Sequence, residues 1–243
     1  MNFGDKSRIK SKEKLKEFLH SERVGRIATI DENGFPFVAP MNFVYYDGAI
    51  YIHGLARGEK YENILRNPKC GFEVDKEFAF LPSYFSEFPS DASKASTMYA
   101  SVVIKGHAEF VTDLREKTGA LNALMEKSQV EGRYDRVTFD MKVVEIVGLI
   151  KIVPDSLDGK YKFGKAWNDD KKTRVATGLL ERSVSMPRRT LELLNIAGLD
   201  KLDEQTARDV AWTHANELIK IFGYENSSGY PGISLSKVEE VEW

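Results

Sequence analysis

The residues best placed to do chemistry are packed into ten positions, Tyr51 to Lys60, which read YIHGLARGEK. An apolar run, Ala49 to Ile52, ends at His53-Gly54, and an amphipathic segment opens just after Gly58. A strand that breaks there and restarts as a helix leaves backbone N–H groups without partners, and the helix dipole adds to their pull on an anion. Arg57 and Lys60 bring two cationic side chains to the same turn. That set suits a phosphate better than a neutral ligand. The same features also describe a solvated strand-to-helix turn with ordinary surface cations.

The flanking elements are legible as a meander. VGRIATID (24–31) is followed by Asn33-Gly34, FPFVAPMNFVYY (35–46) by Asp47-Gly48, and AIYIHG completes a third strand. Both dipeptides are hairpin signals. Pro36 and Pro40 predict a second strand that is bulged or lies partly on an edge, with backbone near Pro40 open to a ligand. A helix from about Glu59 to Arg66 precedes a fourth strand, KCGFEVD. Lys76 to Ser96 reads as a long aromatic loop, of the kind that shapes a pocket, a lid or a partner contact. MYASVVIKGHAEFV (98–111) is a strand, Asp113 caps a helix, and RVTFDMKVVEIVGLIKIVP (136–154) predicts a last strand pair. The count is about seven strands in a barrel pattern. Ser11 caps an N-terminal helix with Leu15, Phe18 and Leu19 on one face, while Pro187 and Asp203 open C-terminal helices.

Composition narrows the classes. The 243 residues are 42% hydrophobic and 30% charged, with a net charge of −2. This is globular usage, with no basic excess to suggest a nucleic-acid surface. Cys70 is the single cysteine, so no intramolecular disulfide forms, and no short-spaced partner makes it a metal ligand. No window approaches the ~18 apolar residues of a membrane span, and no signal core is present, so a cytoplasmic protein without membrane partners is expected. Of the four histidines, His214 reads as a packed helix residue, His20 as a helix-end cation, and His107 has no evident role. His53 alone adjoins the suspected phosphate turn.

The ordered motifs resemble the FMN-binding split barrel of the pyridoxamine-phosphate-oxidase-like superfamily, nearest its nitroimidazole-resistance (Nim-type) branch. Val24 to Thr29 resembles the first barrel strand, and Pro36 with Pro40 to Phe43 the second. His53-Gly54 through Gly58 and Lys60 resembles the HG-x-x-x-G-x-K turn, and Tyr99, Ser101, Gly106 and Ala108 fit Y-x-S-V-x-x-x-G-x-A. Segment 160–180 faintly resembles a closing segment of related FMN proteins.

The resemblance implies a mainly β fold with flanking helices (α+β): an antiparallel split β-barrel over 1–153 and a helical extension over 154–243, packed on the barrel or a dimer partner. It implies FMN at a homodimer interface, with Arg57, Lys60 and Gly54 at its phosphate and Ala39, Pro40, Met41 and Asn42 along the ring. Ser101 is then expected near the phosphate or ribityl chain, and Trp167, Asn168 and Arg174 from the closing segment. His53 is expected to contact the flavin and to be the catalytic residue, facing substrate. The expected activity is an FMN-dependent reductase of nitro-aromatic or similar small electron acceptors. The alternatives are a haem or deazaflavin binder, with His53 as the haem ligand, a non-catalytic flavin-binding regulator, or a dimeric scaffold.

Overall fold

A computed structural model describes residues 8–162 together with 167, 168, 170, 171, 174 and 175. The helices expected after Pro187 and Asp203 lie outside the described residues. Six strands close into an antiparallel barrel in the order β1-β2-β3-β6-β5-β4. They are β1 (Val24–Ile30), β2 (Pro36–Tyr46), β3 (Ala49–Gly54), β4 (Lys69–Leu81), β5 (Ser96–Phe110) and β6 (Gly148–Lys162). Four helices flank them: α1 (Lys12–Ser21), α2 (Glu59–Arg66), α3 (Leu114–Ser128) and α4 (Lys142–Ile146). Among the described residues no helix is long and apolar enough to cross a membrane.

Local chemistry explains the meander. The Asp31 carboxylate accepts from the N–H groups of Asn33 and Phe35, both at 2.8 Å, which closes the β1–β2 turn. Asp47 and Gly48 take φ values of 46° and 80°, the pair of left-handed residues that a tight hairpin turn demands. β2 pairs one-to-one with β1 from Ile30↔Pro36 to Val24↔Asn42, but with β3 only over Phe43 to Tyr46. The prolines therefore sit where β2 lacks β3 as a partner, which is the edge alternative of the two expected, and the register with β1 is continuous.

Alternation sorts the barrel into faces. Ile27, Phe43, Ile50, Ile52, Val102 and Ile104 are buried. On β3 the intervening Tyr51 packs instead with Val44, Val111, Ala120, Leu124 and Leu149, a cluster shared with α3. The Tyr51 hydroxyl donates to Glu116 at 2.7 Å, and Lys151 pairs with the same carboxylate at 2.9 Å.

Two sequence expectations are corrected. The pair of strands expected over 136–154 is a single strand: residues 142–146 form α4 and only β6 follows. Tertiary contacts override the alternating pattern there. Asn122 exchanges two hydrogen bonds with Val137, and Lys117 donates to carbonyls at the end of α4. The long loop is also shorter than expected, because β4 continues to Leu81 and β5 begins at Ser96, with single 3-10 turns at Ser83–Phe85 and Ala92–Lys94 between them. His107 correspondingly lies inside β5, paired with Asp155.

The chain divides into two compact units, Met1–Lys76 with Ala100–Tyr161, and Glu77–Tyr99 with Lys162–Trp243.

Candidate functional site

The candidate site lies wholly in the first unit, where β3 runs into α2. Gly58 is the N-cap of α2, with φ 93° and ψ 174°, a conformation open in practice only to glycine, and it supplies no capping side chain. The first bond into the helix runs from Glu62 N to Gly58 O, at 3.1 Å. The N–H groups of Glu59, Lys60 and Tyr61 therefore have no partner within the helix.

Lys60 is the central side chain. It is half-buried, and its Nζ lies 3.3 Å from Met41 Sδ. A Cβ placed on Gly54 would stand 3.6 Å from the same nitrogen. The ammonium thus hangs over the end of β3, against a weak thioether acceptor. Glu59 and Glu62 share the first turn of α2, yet no carboxylate comes within ion-pair distance of Lys60 among the described residues. Burial holds its amine below the usual lysine range. A half-buried cation with no carboxylate partner among the described residues, beside three N–H groups without partners in the helix, is a place that an anion would stabilise. Arg57 is exposed on the same turn.

The position of this turn is fixed from two sides. Asn63, 1% exposed, donates from Nδ2 to Thr29 Oγ1 at 3.1 Å and so fastens α2 to β1. On the other side Gly54 pairs with Gly148 of β6. Neither contact is signalled by sequence spacing, because the partners are 34 and 94 positions away.

The expected site residues fall into four groups. Gly54, Lys60 and Met41 meet directly, with Ala39, Pro40 and Asn42 on the same stretch of β2. His53 adjoins them in the chain but shares the opposite face of β3 with Tyr51, since its cross-strand partner is Leu149. Ser101 is half-buried on β5, alternating with the buried Ala100 and Val102. Trp167, Asn168 and Arg174 belong to the second unit. There Trp167 packs on a cluster of Leu81, Phe85, Met98 and Val175, and Lys171 stands over its ring at 4.8 Å. Asn168 Oδ1 accepts from Lys171 N at 3.0 Å, and Arg174 donates to Glu87 at 2.7 Å.

Other reactive groups offer less. Burial pushes the Cys70 thiol up to about 12, which suppresses the thiolate. No group of three or more acidic, histidine or cysteine side chains able to hold a metal occurs among the described residues.

Comparison with known proteins agrees with this architecture. A family model described as pyridoxamine 5′-phosphate oxidase matches residues 11–161. The chain belongs to that family. The matched span covers α1 through nearly all of β6, and so includes the whole turn between β3 and α2. No curated protein matches the sequence.

Solved structures of similar fold include a candidate 5-nitroimidazole antibiotic resistance protein from Bacteroides thetaiotaomicron. It is 24% identical, with a TM-score of 0.53 over 63% of this chain and 85% of that one. A flavocytochrome from Azotobacter vinelandii is 19% identical, with a TM-score of 0.54 over 68% and 74% of the two chains. An FAD and heme binding protein from Mycobacterium smegmatis is 20% identical, with a TM-score of 0.54 over 71% and 80%. At these identities the likeness is one of fold, and it establishes the split-barrel architecture for this family member.

Proposed function

We propose that this chain is a flavoprotein that holds FMN by its phosphate at the Gly54–Lys60 turn and serves as a small-molecule oxidoreductase. The observation that carries this reading is Lys60: a half-buried ammonium with no carboxylate partner among the described residues, set beside the uncapped start of α2. Lys60, Arg57 and the N–H groups of Glu59 to Tyr61 would take the phosphate oxygens. The Ala39–Asn42 stretch pairs with β1 but not with β3, so the edge that faces away from β1 would meet the ring. Bound flavin supplies a ring that accepts and returns electrons or hydride, while the protein supplies orientation and electrostatics.

Several further points support the reading. The family match spans the site. Two of the fold neighbours are described as a flavocytochrome and an FAD and heme binding protein, and a third as a candidate nitroimidazole resistance protein. A reductase of nitro-aromatic or related small electron acceptors is the activity class that follows. A homodimer has an apolar surface available on the β1–β2 ribbon, where Val24, Ile30, Phe35 and Val38 are exposed.

A haem-binding reading has one feature in its favour. His53 is exposed, and among the described residues its ring makes no hydrogen bond or ion pair, which leaves the imidazole available to iron. The absorbance spectrum of the freshly purified chain separates the readings. FMN gives two broad bands in the near-visible and a releasable flavin at about one per chain. An intense Soret band would favour haem. A colourless protein that takes up no added FMN would refute the flavin reading.

A further inference from the structure

The phosphate turn does not stand on its own residues, and the group that braces it lies outside the motif. Lys117, on α3, is 7% exposed. Its Nζ donates to Val147 O at 2.9 Å, Val144 O at 3.2 Å and Glu145 O at 3.3 Å. No carboxylate pairs with it among the described residues. All three ammonium protons are spent on the carbonyls that end α4, where a cation also complements the helix terminus.

The chain then enters β6 at Gly148, whose partner is Gly54. Contact there is backbone to backbone. A Cβ on Gly148 would stand 2.8 Å from Gly54 O and 2.9 Å from Ala56 N. One continuous line of contacts thus runs from the Lys117 ammonium through Val147 and Gly148 to Gly54 and Ala56, four residues before Lys60.

We infer that Lys117 is a positioning residue for the anion turn: it fixes the α4–β6 junction as the wall against which Gly54–Ala56 rests, and so sets where Lys60 and the free N–H groups of α2 meet a phosphate. The inference builds on the reading of this turn as the flavin phosphate cradle. A buried lysine used only to stabilise the fold would affect every ligand alike. A lysine that sets the cradle affects the phosphate selectively.

The test compares the dissociation constants of FMN and of riboflavin, which lacks the phosphate, for the full chain and for Lys117→Met, Lys117→Arg and Gly148→Ala. Melting curves confirm that each variant is folded. Gly148→Ala keeps Lys117 and crowds Gly54 and Ala56 directly, so it tests whether this wall sets the turn; if Lys117→Met fails to fold, Lys117→Gln replaces it in the test of the side chain. Lys117→Met and Gly148→Ala should each weaken FMN by about tenfold or more, as loss of supporting contacts and small misplacements do elsewhere. Riboflavin binding should stay unchanged, and Lys117→Arg should restore FMN affinity. Unaltered FMN affinity in the folded variants, or equal weakening of FMN and riboflavin, overturns the inference alone. A wild-type chain that binds neither flavin overturns the phosphate reading and the inference with it.

Discussion

Lys60 Nζ rests 3.3 Å from the sulfur of Met41, and among the described residues no carboxylate comes within ion-pair distance. A thioether is a weak acceptor, so this contact does little to offset the loss of water around a half-buried ammonium. The arrangement leaves a charge in search of an anion, and its titration gives the first prediction. Burial lowers the Lys60 pKa in the ligand-free chain. A bound phosphate would favour the ammonium again, so binding takes up a proton once the pH exceeds the ligand-free pKa. FMN affinity should be level from about pH 7, where the phosphate is a dianion, up to that pKa, and fall above it by at most about tenfold per pH unit. Lys60→Arg stays charged and should flatten the profile. Fluorescence titrations across the alkaline range measure this, and a wild-type profile as flat as that of the arginine variant would contradict it.

The anchor of α2 predicts a stability effect away from the charge. Asn63 is fully buried, donates to Thr29 and accepts from Arg66 at 3.1 Å. Asn63→Ala leaves the Thr29 hydroxyl without its donor and opens a small void. The expected cost is about 1–3 kcal/mol, read from urea unfolding. A loss below that of a typical surface substitution, within about 0.5 kcal/mol, would show that the anchor carries no weight.

Lys127 predicts an unusual alkaline response. Its ammonium donates to Leu19 O at 2.8 Å and Phe43 O at 3.0 Å, and stands 3.7 Å over the Phe43 ring. Burial nonetheless pushes its pKa down to about 8. An unfolded lysine titrates near 10.4. Between those values the unfolded chain holds more protons than the folded one, so stability rises with pH across that window and is level, at its lowest, below it. The difference in urea midpoint between wild type and Lys127→Met should therefore shift in favour of the wild type as pH rises from about 8 to about 10. A pH-independent difference would mean that the carbonyl and ring contacts keep the charge fully favoured.

Much of the barrel was legible because its signals are local. Asn33-Gly34 and Asp47-Gly48 mark the two turns of the meander, and the Gly58 break with Lys60 marks the anion turn within eight residues of His53. Local pattern misleads where distant contacts decide. VVEIV alternates like a strand, yet it forms most of α4 because Lys117, some 27 to 30 positions earlier, holds its carbonyls. The prolines of β2 leave a bulge or an edge open, and only the pairing decides for the edge, since β1 pairs with that stretch without interruption and β3 does not reach it. In the site, the charges were readable from type and spacing. The resemblance places Met41 beside the ring, but nothing in the sequence signals its contact with Lys60. The supports Asn63, Gly148 and Lys117 carried no signal, because only closure of the barrel brings them to the turn.

The decisive experiment is an FMN titration of the wild-type chain beside the Arg57→Ala/Lys60→Ala double variant, followed by flavin fluorescence. The wild type should bind FMN saturably at about one per chain. The folded double variant should lose about 2–4 kcal/mol of binding, as removal of two charge-assisted contacts entails. Equal flavin content and affinity in the two proteins would contradict the assignment of the phosphate to the Gly54–Lys60 turn.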